Sequence, residues 1–261
     1  MNETLPFFHE IENDCQIGQI VNDCLKTDEM PQKTSERSLF HYTSLDVLNE
    51  MCKENGDFLA THFMSLNDTH EFFLGVQLAL RELESCSTLP QDIVKDLPQF
   101  QTDARNHIVR LLNSGDIIPW IVSFSKEPDS LSQWVSYTDR IKGGVAIGFD
   151  SYTIQKAIRE EEKDPLYSSR KLSFHMMRCR YTNDNNAKDW LKTVFTNVTT
   201  SGPFKSAGLD ERKQRILATI IICSAAIKNK SFSPERESRL VVLCSKDGLR
   251  ERYKFVGGNH G

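Results

Sequence analysis

Apolar and polar residues follow one another along this chain in blocks that predict short strands and longer helices. Residues 117–125 are apolar almost throughout, which is typical of a strand covered on both faces. Further extended segments are predicted at residues 38–42, 58–63, 145–149, 171–181 and in the apolar run that ends at residue 243. Strands are therefore distributed over the whole chain from residue 38 onward.

Between these strands, apolar residues recur at helical spacing. Ser44 is predicted to cap a helix that ends near Gly56, and Asn67 or Asp68 to cap a second helix. The inner stripe of that second helix comprises Phe72, Val76, Ala79, Leu80 and Leu83. Other helices are predicted over residues 104–112, just after residues 130 and 151, and over residues 186–198 and 208–227. Helices interleaved with strands predict an α+β fold with a mixed, mainly antiparallel central sheet flanked by helices.

A separate helical stripe lies in residues 8–25, and a polar link that contains Pro31 follows it. We therefore expect an N-terminal helix and linker over residues 1–37, and a single domain with helical insertions over residues 38–261. The chain has no internal repeat and no low-complexity segment that would suggest another organisation.

The overall charge argues against a partner that binds through attraction to a strongly charged protein surface. Lysine and arginine total 32 against 36 aspartate and glutamate, for a net charge of −4. This balance does not favour an anionic membrane or general binding to nucleic acid. No apolar run reaches the roughly 18 residues that a membrane span requires. We expect a protein with no membrane partner.

The cysteines indicate a reducing compartment. Seven cysteines are scattered, their number is odd, and no Cys-x-x-Cys pair occurs. We expect a cytoplasmic protein without disulfides. No histidine lies at ligand spacing beside a cysteine pair, so no metal site is predicted.

The most informative polar residues are Glu235, Glu237 and Arg239, at the start of the last apolar run. The two-residue period of a strand predicts that all three share a face. Two carboxylates this close repel unless a cation lies between them, and Arg239 can supply the resting counter-charge. The alternative is an exposed strand start with a weak surface ion pair.

Polar groups also lie at the ends of two other predicted strands: His41, Tyr42 and Thr43 in one, and Ser123 and Ser125 in the other. The two serines share a face, so their hydroxyls can contact a ligand or brace Glu237, or can take part in turn hydrogen bonds. For His41 and Tyr42 the alternative is ordinary core packing.

Trp134 and Tyr137 are three residues apart on a predicted helix and therefore share a face. They can stack on a ligand or anchor the helix to the sheet. Asn67 is either a helix cap or a ligand contact.

The order of His41, the Ser-x-Ser pair and Glu235-x-Glu237 resembles the pattern of ADP-ribosyltransferases. In that superfamily the first strand ends in His or Arg, a later strand carries Ser-x-Ser or an aromatic hydroxyl, and a late strand carries the catalytic Glu.

Six polar or glycine-containing segments follow one another along residues 38–243: Leu39-Phe40-His41-Tyr42-Thr43-Ser44, Ser65-Leu66-Asn67-Asp68, Ser123-Phe124-Ser125, Trp134-x-x-Tyr137, Gly144-Val145-Ala146-Ile147-Gly148-Phe149-Asp150 and Glu235-x-Glu237-Ser238-Arg239-Leu240. In these segments the chain resembles more closely a bacterial family known as domain of unknown function twenty-nine seventy-one. Ser238 stands where that family usually has Trp, and the chain ends soon after Gly257-Gly258. A role in bacterial conflict or phage defence fits this resemblance.

The resemblance to ADP-ribosyltransferases implies cleavage of the nicotinamide glycosidic bond of NAD and transfer to an unknown protein or nucleic-acid acceptor. Glu237 would stabilise the sugar cation, and Glu235 would orient or deprotonate the acceptor or hold water for hydrolysis. The residues expected to contact NAD are His41, Tyr42, Thr43, Ser65, Asn67, Ser123, Ser125, Trp134, Tyr137 and Arg239.

Two other functions remain open at this point. The first is a non-catalytic module that binds a nucleotide or a partner, which Ser238 and the C-terminal end of the chain favour. The second is a metal-dependent nuclease that uses Glu235, Glu237, Asp68 and Asp150. The nuclease lacks support from spacing, because nothing in the sequence brings these acids together.

Overall fold

The structure is a computed structural model, and it describes residues 38–53, 60–66, 70–114, 118–139, 141–161, 173–182 and 185–244. The predicted N-terminal helix and linker, Asn67 and Asp68 lie outside the described residues. In the part that is described, no helix has the length and apolar character needed to cross a membrane.

Eight strands alternate with nine α-helices in the described ranges. The strands are β1 Ser38–Ser44, β2 Thr61–His62, β3 Ile118–Ser125, β4 Gly144–Asp150, β5 Ser173–Arg178, β6 Arg180–Tyr181, β7 Ile227–Lys228 and β8 Glu237–Cys244. The helices are α1 Leu45–Met51, α2 His70–Glu84, α3 Gln91–Val94, α4 Leu97–Ser114, α5 Leu131–Tyr137, α6 Ser151–Glu161, α7 Asn185–Thr200, α8 Gly202–Ser206 and α9 Leu209–Ser224. Two 3-10 helices cover Phe63–Ser65 and Lys230–Glu235.

The main sheet has the strand order β4-β1-β3-β8-β5, and every pair in it is antiparallel. The short strand β2 also pairs antiparallel with β3, whereas β6 and β7 form a separate parallel pair. The expected α+β fold with a mainly antiparallel sheet flanked by helices is confirmed.

The register of β3 and β8 positions the polar residues at their ends. Ser123 lies opposite Arg239, and Ser125 lies opposite Glu237. At the other edge of β3, Ser125 is also the partner of Phe40 in β1. The ends of three strands that the sequence singled out therefore meet at one end of the sheet.

The larger core lies among helices α2, α4, α7 and α9. The five residues predicted for the inner stripe of α2 are all buried. Helix α9 is buried over ten consecutive residues, from Arg215 to Ser224, as expected for a helix surrounded by other elements.

Gly75 allows α2 to approach the end of α9 closely. A Cβ atom at this position would lie 2.6 Å from the carbonyl oxygen and 2.7 Å from the Cα of Ser224. Only a glycine fits there without a shift of backbone. Because Glu71 is one turn before Gly75, this contact also fixes the start of α2 against the end of α9.

Several predicted elements have different bounds in the structure. The helix predicted over residues 208–227 ends at Ser224, and Ile227 belongs to strand β7. The strand expected at residues 58–63 covers only Thr61–His62 in the described part, because Phe63 begins a 3-10 helix. Helix α4 is longer than the predicted 104–112 and begins at Leu97. The last strand begins at Glu237, so Glu235 lies outside it, at the end of the 3-10 helix Lys230–Glu235.

Candidate functional site

Five charged side chains meet inside the protein, and we refer to them as the charged cluster: Glu71, Lys228, Glu235, Glu237 and Arg239. Each of these residues is between 1% and 4% exposed. The alternative of an exposed strand start with a weak surface ion pair is therefore wrong. Desolvating an ion costs several kcal/mol unless partners replace its water, so the contacts within the cluster decide what it can do.

Four different elements contribute to the charged cluster. Glu71 is in the first turn of α2 and Lys228 ends β7, while Glu237 and Arg239 are two residues apart in β8. The expectation that Glu237 and Arg239 share a face is confirmed by the contact between their side chains.

Glu235 reaches the same place by a different route from the one that a strand period predicts. Arg236, between the two carboxylates, adopts a left-handed conformation with φ 45° and ψ 48°. A left-handed backbone conformation is costly for a residue other than glycine. Here it turns the chain sharply from the 3-10 helix into β8. That turn directs Glu235 and Glu237 to the same ammonium group.

Lys228 lies among the three carboxylates. Its Nζ is 2.5 Å from Oε2 of Glu237, 2.7 Å from Oε2 of Glu235 and 3.6 Å from Oε1 of Glu71. The ring of Phe232 lies 4.8 Å from the same nitrogen. No group of three or more histidine, cysteine, aspartate or glutamate side chains in the described ranges is arranged to hold a metal ion. The lysine ammonium is the cation between these carboxylates.

Arg239 joins the cluster to the end of α9. Its Nε donates to Oε1 of Glu237 at 2.7 Å, and its Nη2 donates to Oε2 of Glu71 at 2.8 Å. Its Nη1 donates to the carbonyl oxygen of Ala225 at 2.8 Å. The guanidinium therefore has a partner on each of its three nitrogens, and the counter-charge role predicted for Arg239 is confirmed by these contacts.

The two serines of β3 have different partners. The hydroxyl of Ser123 donates to Oε1 of Glu237, so the prediction that this residue braces the carboxylate is confirmed. The hydroxyl of Ser125 instead donates to the backbone carbonyl of Glu235 at 2.7 Å and accepts from the backbone nitrogen of Glu127 at 3.1 Å. Ser125 thus holds the chain around the site, while Ser123 contacts a charged side chain.

The charges in the cluster hold Glu237 ionised. Burial raises the pKa of Glu237, but Arg239 and Lys228 outweigh burial and lower this pKa to about 2. For Lys228, burial lowers the pKa, and the charge of Glu237 outweighs it, so that the pKa is raised. Burial raises the pKa of Glu71, which Arg239 and Lys228 only partly offset. Glu237 is therefore a fixed anion at neutral pH, too weak a base to accept a proton.

Two tyrosines border the charged cluster. Burial raises the pKa of Tyr137, and the negative charge of Glu237 raises it further. The hydroxyl of Tyr181 accepts a hydrogen bond from the backbone nitrogen of Glu237 at 3.0 Å, and burial raises the pKa of that phenol too. Both phenols are neutral near pH 7 and are available as hydrogen-bonding groups.

Tyr42 and Trp134 attach helix α5 to strand β1. Their rings are 4.8 Å apart and meet edge to face. The Tyr42 hydroxyl donates to the carbonyl oxygen of Glu127 and accepts from the backbone nitrogen of Ser130, and the Trp134 indole donates to Asp129. These contacts agree with the packing alternative that the sequence left open for both residues.

The remaining predicted residues lie in three different places. Nδ1 of His41 is 2.9 Å from the backbone carbonyl of Ser123, and burial lowers the pKa of this imidazole. Thr43 is buried in β1. Ser65 is exposed at the end of the 3-10 helix Phe63–Ser65. His41 is thus next to the β3 residue that braces Glu237, whereas no contact between Ser65 and the charged cluster is found in the described ranges.

Lys228 and Glu71 are functional candidates that sequence patterns did not identify. Glu71 has no sequence signal beyond its place near the start of the helix predicted after Asn67 or Asp68, and Lys228 lies just beyond the predicted helix of residues 208–227. One signal was present for Lys228, because it follows three apolar residues, Ala225 to Ile227, at the end of an apolar helix. A lysine so placed is rarely buried without a carboxylate partner.

Comparison with known proteins connects part of the chain to one family. The model of a family described as protein of unknown function, DUF2971, matches residues 133–240. This match confirms the resemblance to that family for the matched segment, which contains four members of the charged cluster and helix residues 133–137. No curated protein and no solved structure matches the chain.

Proposed function

We propose that this protein cleaves the nicotinamide glycosidic bond of NAD and transfers ADP-ribose to a protein or nucleic-acid acceptor. The observation that carries the proposal is the state of Glu237: a carboxylate with its pKa lowered to about 2, held by Arg239 and Ser123 at the end of an antiparallel sheet. Such a carboxylate is a preorganised negative charge that needs no rearrangement during reaction.

The proposed reaction breaks one bond and forms another. The bond between the ribose anomeric carbon and the nicotinamide ring nitrogen breaks, and its electron pair leaves with nicotinamide, which becomes neutral. The ribose then carries an oxocarbenium-like positive charge, which Glu237 stabilises. A nucleophilic oxygen or nitrogen of the acceptor attacks the anomeric carbon, and its proton leaves to water or to a base. When water is the acceptor, the result is hydrolysis.

The charge balance of the cluster supports a positively charged substrate. Three carboxylates face two cations, so the five side chains carry one net negative charge when Glu71, whose pKa is raised by burial, is ionised. A net negative charge in a buried environment favours a positive group nearby. The nicotinamide ring of NAD is positive before the bond breaks, and the ribose is positive while it breaks.

Release of nicotinamide from NAD tests the proposal. The purified protein is incubated with NAD alone and with protein, RNA or DNA as acceptor, and Glu237→Gln is compared with Glu50→Gln. Glu50 carries an exposed carboxylate that pairs with Lys53, so its variant makes the same chemical change at the surface. Loss of one preorganised electrostatic contact raises the activation barrier by about 2.7–4 kcal/mol. We expect wild type and Glu50→Gln to release nicotinamide at similar rates. The rate for Glu237→Gln should be lower by about two orders of magnitude or more.

A second candidate is a nucleotide- or partner-binding module without catalysis. It is favoured by the completeness of the contacts around Glu237, whose oxygens already meet Lys228, Arg239 and Ser123. A carboxylate with these partners serves as a structural centre beneath a binding surface. Binding of NAD or ADP-ribose by folded wild-type protein, with no nicotinamide release under any acceptor condition, would support this candidate.

A further inference from the structure

Helix α5 carries a buried polar group that the described structure leaves without a partner. Gln133 is only 3% exposed, and its side-chain nitrogen Nε2 has no hydrogen-bond partner among the described residues. A buried amide without a hydrogen bond destabilises the folded state, and most buried polar groups are paired. A ligand group that accepts a hydrogen bond would supply the partner that this amide lacks.

The position of Gln133 on α5 relates it to the charged cluster. Gln133 and Tyr137 are four residues apart and lie on one face of the helix, since residues four apart are neighbours on a helix surface. The helix packs against the 3-10 helix Lys230–Glu235, which ends in a carboxylate of the cluster. The charge of Glu237 acts on the phenol of Tyr137, so this face lies within electrostatic range of the cluster.

The helix is held firmly enough to present this face in one orientation. Trp134, next to Gln133, packs edge to face on Tyr42 of β1 and donates to Asp129. The hydroxyl of Thr138 donates to the Trp134 carbonyl oxygen at 2.6 Å at the end of the helix. Because Trp134 fixes α5 against β1, the cost of leaving the amide of Gln133 unpaired is not relieved by rotation of the helix.

We infer that Gln133 and Tyr137 form a subsite for an uncharged carboxamide carried on a positively charged ring, with the Gln133 amide donating to the carboxamide oxygen. This subsite rests on the proposed function, because nicotinamide in NAD is such a ring. The carboxamide oxygen accepts the N–H of Gln133, while the positive ring lies toward the net negative charge of the cluster. The hydroxyl of Tyr137 is a second hydrogen-bonding group on the same helix face.

A binding experiment with simple cations tests the subsite without catalysis. The probes are nicotinamide methylated on its ring nitrogen, which keeps both the charge and the carboxamide, and N-methylpyridinium, which keeps the charge alone. Their affinities for the full chain are measured by calorimetry or ligand-observed NMR. The variants are Gln133→Met, which is similar in size and has no donor, and Gln99→Met, which removes an amide that contacts Asp103 on the surface of α4.

We expect Gln133→Met to bind methylated nicotinamide about tenfold more weakly than wild type, as for loss of one or slightly more than one net hydrogen bond. Its affinity for N-methylpyridinium should stay unchanged, and Gln99→Met should match wild type with both probes. The thermal midpoint of ligand-free Gln133→Met should equal or exceed that of wild type, because the variant removes an unpaired buried amide.

Equal affinity of wild type and Gln133→Met for methylated nicotinamide would overturn the subsite, as would absence of binding to folded wild type. The NAD assay separates this result from failure of the proposed function. If Glu237-dependent nicotinamide release persists while Gln133→Met leaves probe affinity and the KM for NAD unchanged, the function stands and the subsite is wrong. If Gln133→Met weakens binding of methylated nicotinamide but NAD is not cleaved, the subsite stands and the catalytic proposal is wrong.

Discussion

The side-chain nitrogen of Lys228 lies 2.5 Å from Oε2 of Glu237, and both residues are almost fully buried. The same nitrogen is also close to Glu235 and Glu71. The single positive charge of Lys228 therefore compensates three carboxylates at once. Arg239 supplies the other positive charge of the cluster, and its contacts reach Glu71 and Glu237. Removal of either cation leaves buried carboxylates without adequate compensation.

Lys228→Met is expected to destabilise the protein by about 3–5 kcal/mol, because removal of one partner from a buried ion pair leaves an uncompensated charge. The measurement is the free energy of unfolding in a chemical denaturant. Lys142→Met is the matched control, since Lys142 pairs with Asp46 on the surface, and it should leave this free energy unchanged.

The double variant Lys228→Met with Glu235→Gln identifies the cause of that loss. Removing a carboxylate together with the lysine reduces the uncompensated negative charge, so the double variant should be more stable than Lys228→Met alone. If the second substitution gives no recovery, charge compensation by Lys228 is not the source of the lost stability.

Ser123 and Ser125 are expected to affect different properties although they are two residues apart in β3. Ser123→Ala removes the donor to the Glu237 carboxylate, so nicotinamide release should slow by about tenfold or more, mainly in kcat. Ser125→Ala leaves the buried carbonyl of Glu235 without its donor and should lower the free energy of unfolding by about 1–3 kcal/mol.

These two serine variants are compared in the NAD assay and in denaturant unfolding. The informative quantity is the loss of activity in Ser123→Ala relative to that in Ser125→Ala. Ser125 also lies near Glu235, but its hydroxyl contacts only backbone atoms. Equal loss of activity in both variants, at equal stability, would contradict a specific role of the Ser123 hydroxyl in orienting Glu237.

Gly75→Ala is expected to destabilise the protein by about 1–3 kcal/mol, since an added methyl group in a tight contact forces backbone apart. Its Cβ would lie 2.6 Å from the carbonyl oxygen of Ser224, and α2 would shift together with Glu71. Thermal or denaturant unfolding measures the change.

Gly202→Ala provides the control for the same substitution. Gly202 begins α8, and a Cβ there would meet nothing within 4 Å. The following Pro203 restricts the backbone of an alanine here, and no other group is displaced, so the variant should change the free energy of unfolding by no more than about 0.5 kcal/mol. A Gly75→Ala protein as stable as Gly202→Ala would show that α2 and α9 can separate without cost.

His175 is expected to make stability decrease in mildly acidic solution. Burial lowers its pKa from 6.5 to about 4. As the pH falls through about 6.5 the unfolded chain binds a proton, whereas the folded imidazole stays neutral to about pH 4. The free energy of unfolding should therefore fall by on the order of 3 kcal/mol across that interval.

The variant His175→Gln isolates this contribution, because glutamine does not titrate and can still hydrogen-bond the hydroxyl of Ser173. The difference in unfolding free energy between wild type and variant should depend on pH between about 6.5 and 4 and be constant at higher pH. Glu237, with its pKa lowered from 4.5 to about 2, adds a loss between those two pH values in both proteins, so it cancels in the difference. Parallel profiles of the two proteins would contradict a buried neutral His175.

Sequence alone determined the local elements and the residue types at the strand ends. The inner stripe of α2, the cap at Ser44 and the apolar strand β3 follow from periodicity and capping chemistry, which act over a few neighbouring residues. The shared face of Glu237 and Arg239 follows from the strand period in the same way. These predictions needed no knowledge of what packs against each element.

Only the tertiary structure decided which charges meet. Arg239 contacts Glu71 across a separation of 168 residues, and neither strand period nor helix period relates positions so far apart. The left-handed turn at Arg236 and the burial of Lys228 were equally hidden, because each depends on the surrounding elements. Short-range periodicity thus positioned each residue on its own element, whereas sheet register and helix packing brought Glu71, Lys228 and Ser123 to Glu237.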